Sequence, residues 1–277
     1  MIALVTDSNA QLPDELRDRF GVRIVPLTVV LDGEDRVEGV DLDADEFYDR
    51  LERGAAVSTA APSPGRFAEV FQAAAAAGAT EILAIHIGSN TSATVNAATL
   101  AARSTPVPVE VVDTGTASFP IACCVWAAAT VVEGGGTLDA AATAARAVAT
   151  TIGNVFIVGA LDLARRGGRL AAGATDGTGL PVLALHQGAM EVVGNAHDAQ
   201  GAVDAMVSYF EQFADGRRMR VGVGHARAVT IADELEARLR ARPEVQDLVR
   251  YDVGPSVGAH TGSGTVGAVF FPVDPGR

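Results

Sequence analysis

The chain has 277 residues, 48% of them hydrophobic, and a formal net charge of −13. That is enough apolar material for one large or two modest cores, and it excludes wholesale disorder. The acidic balance argues against nucleic acid, whose phosphates need a basic face; no lysine occurs, so every fixed cation is an arginine.

"IALVTD" reads as a strand, and "LPDELRDRFG" as a helix with an early proline and a glycine stop. "VRIVPLTVVLDG" is extended, "DADEFYDRLERG" an acidic-headed helix, and "SPGRFAEVFQAAAAAG" a helix for which Ser63 is the expected cap. "EILAIHIG" is a strand, "SATVNAATLAARS" a helix and "VPVEVVDT" a strand, followed by two Ala-rich helices to about Thr151. Strands alternating with helices in this way imply βαβ units and a parallel sheet. Past "TIGN" the pattern mixes hairpin and βαβ signals. "LPVLALHQGAMEVVG" reads as two strands joined by a turn, and "LVRYDVG" and "GTVGAVFFPV" as closing strands. The expectation is two α/β domains, residues 1–152 around a mainly parallel sheet and 153–277 around a mixed one.

Cys123 and Cys124 are adjacent inside "FPIACCVWAAATVV", and neighbours on a helix point apart. They read as reduced core residues, and the run is too short to cross a bilayer. "MIALVTDS" reads as a strand from its first residue, without a signal peptide's basic region or cleavage site. A cytoplasmic protein without stable membrane insertion is expected.

Five motifs have possible chemistry. "TDSNAQLP" ends the first strand with Asp7 and Ser8, where ligands of parallel sheets sit, although either residue also suits a cap for the helix starting near Pro13. In "STAAPSPGRF", Ser63 suffices as a cap, which leaves Thr59 without a structural task. "GSNTSATVNAA" from Gly88 follows a strand and opens a helix, so free N–H groups and the positive dipole end meet the hydroxyls of Ser89, Ser92 and Thr94. That combination suits a carboxylate or phosphate, and the absence of lysine disfavours a nucleoside triphosphate. "RRGGRL" offers guanidinium forks to an anion, or a plain surface turn. "HTGSGTVG" fits G-x-G-x-x-G, but a strand follows it, so it is no dinucleotide fingerprint; it still gathers His260, Thr261 and Ser263 where backbone can approach a ligand. No HExxH, metal-spaced Cys or His pair, or GxSxG elbow occurs, so neither metal nor cofactor is expected.

In order along the chain, "TDSNAQLP", "VPL", "STAAPSP", "GSNTSATVNAA" with "DTGTAS", "RRGGR" and "HTGSGT" form one pattern. It resembles the bacterial DegV family, which includes the fatty-acid-binding subunits of fatty acid kinase, and the resemblance spans essentially the whole chain. It implies two α/β domains with a ligand cleft between them that buries a long-chain fatty acid. It also implies a separate ATP-dependent kinase that turns the bound carboxylate into an acyl phosphate for phospholipid metabolism. On this resemblance the head group is held by Ser89, Ser92 and Thr94, with Thr59 across the cleft, and by His260 and Arg169, the latter in the family's glycine-arginine turn with Gly168. Arg169 and His260 assist phosphoryl transfer while the chain itself is no enzyme. Two residues depart from the family's serine-rich segment, Gly88 for a serine and Thr91 for a leucine, and His197 falls where lipid-binding members carry a kinase-facing arginine. The alternative is a small-molecule transferase or hydrolase using the same Ser/Thr/His cleft, with His260 as base.

Overall fold

The structure, a computed structural model, describes residues 1–166, 179–186 and 189–273. The chain divides into two units: Met1–Asp43 with Ala55–Thr150, and Ala44–Gly54 with Thr151–Arg277.

In the first unit β1 (Ile2–Asp7) runs through a one-turn 3-10 helix into α1 (Asp14–Phe20), which Gly21 ends in the left-handed region at φ 61°. β2 (Arg23–Val25), β3 (Thr28–Leu31) and β4 (Glu34–Val37) follow; α2 (Ala44–Glu52) belongs to the second unit. The first unit resumes with β5 (Val57–Ala60), α3 (Pro64–Ala76), β6 (Glu81–His86), α4 (Thr94–Ala102), β7 (Val109–Asp113), α5 (Phe119–Glu133) and α6 (Leu138–Ala149). The central sheet has the order β2-β1-β6-β7 and every pairing in it is parallel, as the alternation of elements implied. Strands buried on both faces read as near-continuous apolar runs, which is the character of "EILAIH". Val5, Ile82 and Ala84 pack with Phe67 and Phe71 of α3 and with Ala97, Ala98 and Ala101 of α4. α5 and α6 pack against the same strands, and α5 buries ten residues, including both cysteines. Burial pushes the Cys124 thiol up to about 12, and raises Cys123 well above its ordinary value with help from its neighbour. Both are unreactive core residues. A second sheet, β4-β3-β5, is antiparallel throughout, whereas the sequence suggested only a continuous extended stretch there.

The second unit contains β8 (Gly153–Ile157), α7 (Leu161–Arg166), β9 (Leu180–His186), β10 (Ala189–Ala196) and α8 (Ala199–Ala214). It closes with β11 (Met219–His225), α9 (Val229–Arg240), β12 (Val245–Asp252), α10 (Pro255–Thr261) and β13 (Val266–Pro272). Its sheet, β10-β9-β8-β13-β11-β12, is antiparallel except for β11 against β12, which makes it mixed as expected. Phe210 of α8 and Leu235 and Leu239 of α9 fill the core over Val221, Val223 and Phe270.

α2 is the departure from a simple division at residue 152. It joins the second unit, where Arg227 pairs with Asp49 at 2.8 Å, Asp45 at 3.4 Å and Glu52 at 3.5 Å. The buried Tyr48 hydroxyl donates to the Val253 carbonyl at 2.7 Å. A Cβ on Gly258 of α10 would lie 2.4 Å from the Tyr48 hydroxyl oxygen, so glycine there lets the two helices meet. Tyr48→Phe leaves a buried carbonyl without its donor. It is expected to destabilise the protein by about 1–2 kcal/mol in urea titration, whereas a wild-type midpoint would show that this bond holds nothing.

Candidate functional site

The parallel register places the ends of three strands together. Thr6 is level with Ile85, and His86 with Asp113, so β1, β6 and β7 finish with Asp7, His86 and Asp113 at one edge. This carboxyl edge is where open α/β sheets bind ligands. Asp7 is fully buried and accepts the backbone N–H of Asn9 at 3.1 Å and of Ile87 at 3.0 Å. Its Oδ2 also lies 3.0 Å from Nδ1 of His86, itself fully buried with its ring edge-on to Phe67, centroids 5.0 Å apart. Asp7 therefore caps the 3-10 turn and not α1, whose cap position is Pro13 without a side-chain bond, and it holds a histidine as well. Ser8 caps nothing: its hydroxyl donates to buried Glu38 and accepts the Leu27 N–H at 2.9 Å. His86 went unremarked in the sequence, although a histidine closing an otherwise apolar strand was the available signal.

The hydroxyl-rich turn after β6 divides its side chains among different tasks. Gly88 donates to the Thr116 carbonyl at 2.7 Å, and a Cβ on it would lie 2.6 Å from the Gly115 carbonyl carbon. Backbone meets backbone at that point, which requires glycine in this chain. Thr91 folds back on the Gly88 carbonyl through its hydroxyl, at 3.0 Å. Ser89 is exposed and engaged with Asp113, its N–H 3.1 Å from Oδ1. Burial acts to raise the Asp113 pKa, but the Ser89 hydroxyl and the N–H groups of Gly115 and Ser89 outweigh it and hold the carboxyl below its ordinary value. Ser92 and Thr94 form a separate pair, Oγ to Oγ1 2.8 Å, and the Thr94 N–H points at the Ser92 hydroxyl at 3.3 Å. Thr94 is fully buried and Ser92 half-buried. The cap position of α4 is Ala93, without a side-chain cap, so this first turn has donors that no conventional cap satisfies.

The remaining expected residues are distributed over both units. Thr59 lies on β5, level with Val29 of β3 and half-buried, while Ser63 caps α3 as expected by accepting the Arg66 N–H at 3.4 Å. His260 is half-buried near the end of α10 in the second unit. Arg169, with Gly168, lies outside the described residues. His197 is exposed beside Asp198, the cap of α8, in an open groove of about 650 Å³ that Gln200, Asp204 and Ser208 also line. The "HTGSGT" glycines approach the protein's own backbone. A Cβ on Gly159 would fall 1.5 Å from the Ser263 carbonyl oxygen, and Gly262, at φ 80°, lies under Ala160. That close approach serves packing within the second unit. Among the described residues no group of three or more His, Cys, Asp or Glu is placed to hold a metal, and no helix is long and apolar enough to cross a membrane.

A family model described as an uncharacterised protein of the DegV family matches residues 1–273. The chain belongs to the DegV family. A DegV domain-containing protein of Streptomyces coelicolor is 39% identical over 273 residues, 97% of each chain. One of Mycobacterium tuberculosis is 31% identical, covering 96% of this chain and 95% of the relative. Among solved structures, the fatty-acid-binding DegV family protein of Thermus thermophilus superposes with a TM-score of 0.90 at 32% identity, covering 98% of this chain and 99% of that one. A DegV lipid-binding protein of Thermotoga maritima gives 0.88 at 25% identity, covering 99% of each chain.

Asp113 supplies a test of how the DegV turn is wired. Its depressed pKa means that its contribution to stability is complete above the unfolded value of about 3.9 and is lost as pH falls through the lower folded value. Ser89→Ala removes one of the groups that lower it. The Asp113 carboxyl is then expected to titrate nearer its ordinary value, with acid unfolding starting at higher pH, followed by carboxyl 13C NMR. An unmoved Asp113 titration would show that the Ser89 hydroxyl does not engage it.

Proposed function

We propose that this chain binds a long-chain fatty acid, with the carboxyl held at the turn between β6 and α4, and presents it to a separate ATP-dependent kinase for conversion to an acyl phosphate. The observation that carries the reading is the Ser92–Thr94 hydroxyl pair at a helix start that lacks a side-chain cap. Two hydroxyls at the positive end of a helix suit a carboxylate. Whole-length relatedness to a fatty-acid-binding protein supports the choice of ligand. Thr59 is proposed as a further hydroxyl contact, and Arg169 and His260 as the cations and donors for the transferred phosphoryl group. Ser89 is committed to Asp113 and contributes by fixing the turn.

Magnitudes favour a division of labour. Roughly fifteen methylenes at about 0.8 kcal/mol each give on the order of 12 kcal/mol gross, before the cost of association. A carboxylate is costly to bury, so its hydrogen bonds mainly offset desolvation and set orientation. The acyl chain supplies affinity; the hydroxyls supply direction. No turnover by the isolated chain is part of this reading.

Protein purified from cells is expected to contain stoichiometric fatty acid, read by mass spectrometry of the extracted lipid. Thr59→Ala and Ser92→Ala should each weaken binding by about 1–2 kcal/mol in displacement of a fluorescent fatty acid, and Ser89→Ala should weaken it less. Protein that neither contains fatty acid nor takes it up would refute the reading, and wild-type affinity in both variants would move the site elsewhere. His197→Glu should lower kinase-dependent acyl phosphate formation while leaving fatty acid affinity unchanged; unchanged formation would remove the groove around His197 as the kinase contact.

A further inference from the structure

His86 is wholly buried, and its Nε2 has no hydrogen-bond partner among the described residues. Its other nitrogen is fixed at 3.0 Å from Asp7 Oδ2, and that oxygen is held in turn by the Ile87 N–H. Phe67 packs edge-on to the ring, so the ring is clamped on a carboxylate and an aromatic neighbour. Buried polar atoms are almost always hydrogen-bonded, and a specific exception in a folded protein calls for an explanation. Here the exception lies at the carboxyl edge of the parallel sheet, on the strand that leads through Gly88 into the Ser92–Thr94 turn.

We propose that His86 is a further head-group residue, whose Nε2 makes a hydrogen bond with the carboxyl of the bound fatty acid. This rests on the fatty-acid reading above. The contact forms with either distribution of its one shared proton. A neutral ring with its proton on Nδ1 accepts from a protonated carboxyl, and a cationic ring donates through Nε2 to a carboxylate. No other reagent is needed. An acyl chain whose head lacks that proton has nothing to offer a lone pair on Nε2, so His86 selects a free acid over its ester. A hydroxyl pair alone, which accepts or donates indifferently, discriminates less between the two.

The test uses the full chain, with oleate and methyl oleate as probes. Ring 15N NMR of the wild-type protein is expected to show the His86 Nε2 resonance moving on saturation with oleate and staying in place with methyl oleate. Asparagine keeps an amide near the position of Nδ1 and removes the outer nitrogen, whereas glutamine reaches the position of Nε2. His86→Asn is therefore expected to weaken oleate binding by about tenfold or more and to change methyl oleate binding by less than about twofold, and His86→Gln to restore part of the loss. An Nε2 resonance that ignores saturating oleate would overturn the assignment and leave the fatty-acid reading standing, with a buried water as the partner of Nε2. The same holds if His86→Asn binds oleate as wild type does. Failure of the wild-type chain to take up either probe would refute the fatty-acid reading itself, and this assignment with it.

Discussion

Asp7 is a buried carboxylate whose acceptors must be satisfied without leaving the protein interior, and the sheet edge is organised around that requirement. One oxygen takes the Asn9 N–H and the other takes Ile87 and His86, so a single side chain ties the end of β1 to the end of β6. An unpaired carboxylate at that depth would cost several kcal/mol. The two strands therefore end in register, and the turn after β6 starts from a fixed point. Asn9 extends the same knot by accepting the Ser118 N–H at 2.9 Å, which reaches the residue just before α5. Three segments far apart in sequence are thus fastened at one edge by side chains rather than by apolar contact.

From that fixed point the turn's composition follows. Gly88 lies directly on the backbone of Gly115, so the loops after β6 and β7 run in contact and a side chain is excluded. Asp113, closing β7, then collects Ser89 and Gly115. The hydroxyls nearest the strand are used in building the turn, and those nearest the helix are left to face each other. The polar stretch from Ser89 to Thr94 is in this sense two structures in sequence, a brace followed by a donor pair.

Much of this architecture was readable from periodicity. Apolar runs such as "EILAIH" and Ala-rich amphipathic stretches give parallel strands and covering helices because burial on two faces leaves little compositional choice. The antiparallel β3–β5 sheet was less legible, since "EDRV" and "VSTA" are polar or hydroxylated and their pairing is set by distant neighbours rather than by their own pattern. α10 escaped notice for a similar reason: its seven residues include a proline and a glycine, and Phe47 and Tyr48, which approach its Gly258, come from a distant part of the sequence. At the site, spacing picked out the hydroxyls but not their division of labour, which depends on Asp113 arriving from another strand. His86 was hidden because its significance lies in Asp7, 79 residues away. At the "HTGSGT" glycines the need for close backbone approach is visible in sequence, while the partners found here, Gly159 and Ala160, are not.

The excursion through α2 makes the two units topologically interleaved. The chain enters the second unit at Ala44, leaves it after Gly54 and returns at Thr151, so no single cut yields two complete halves. A fragment beginning at Thr151 would lack its own helix over Gly258 and Val253, leaving three acidic partners of Arg227 on the other piece. During synthesis that helix emerges about two hundred residues before α10, the helix it packs on, so it must wait for its partner. Truncations or domain exchanges of this chain would therefore have to carry residues 44–54 with the C-terminal half.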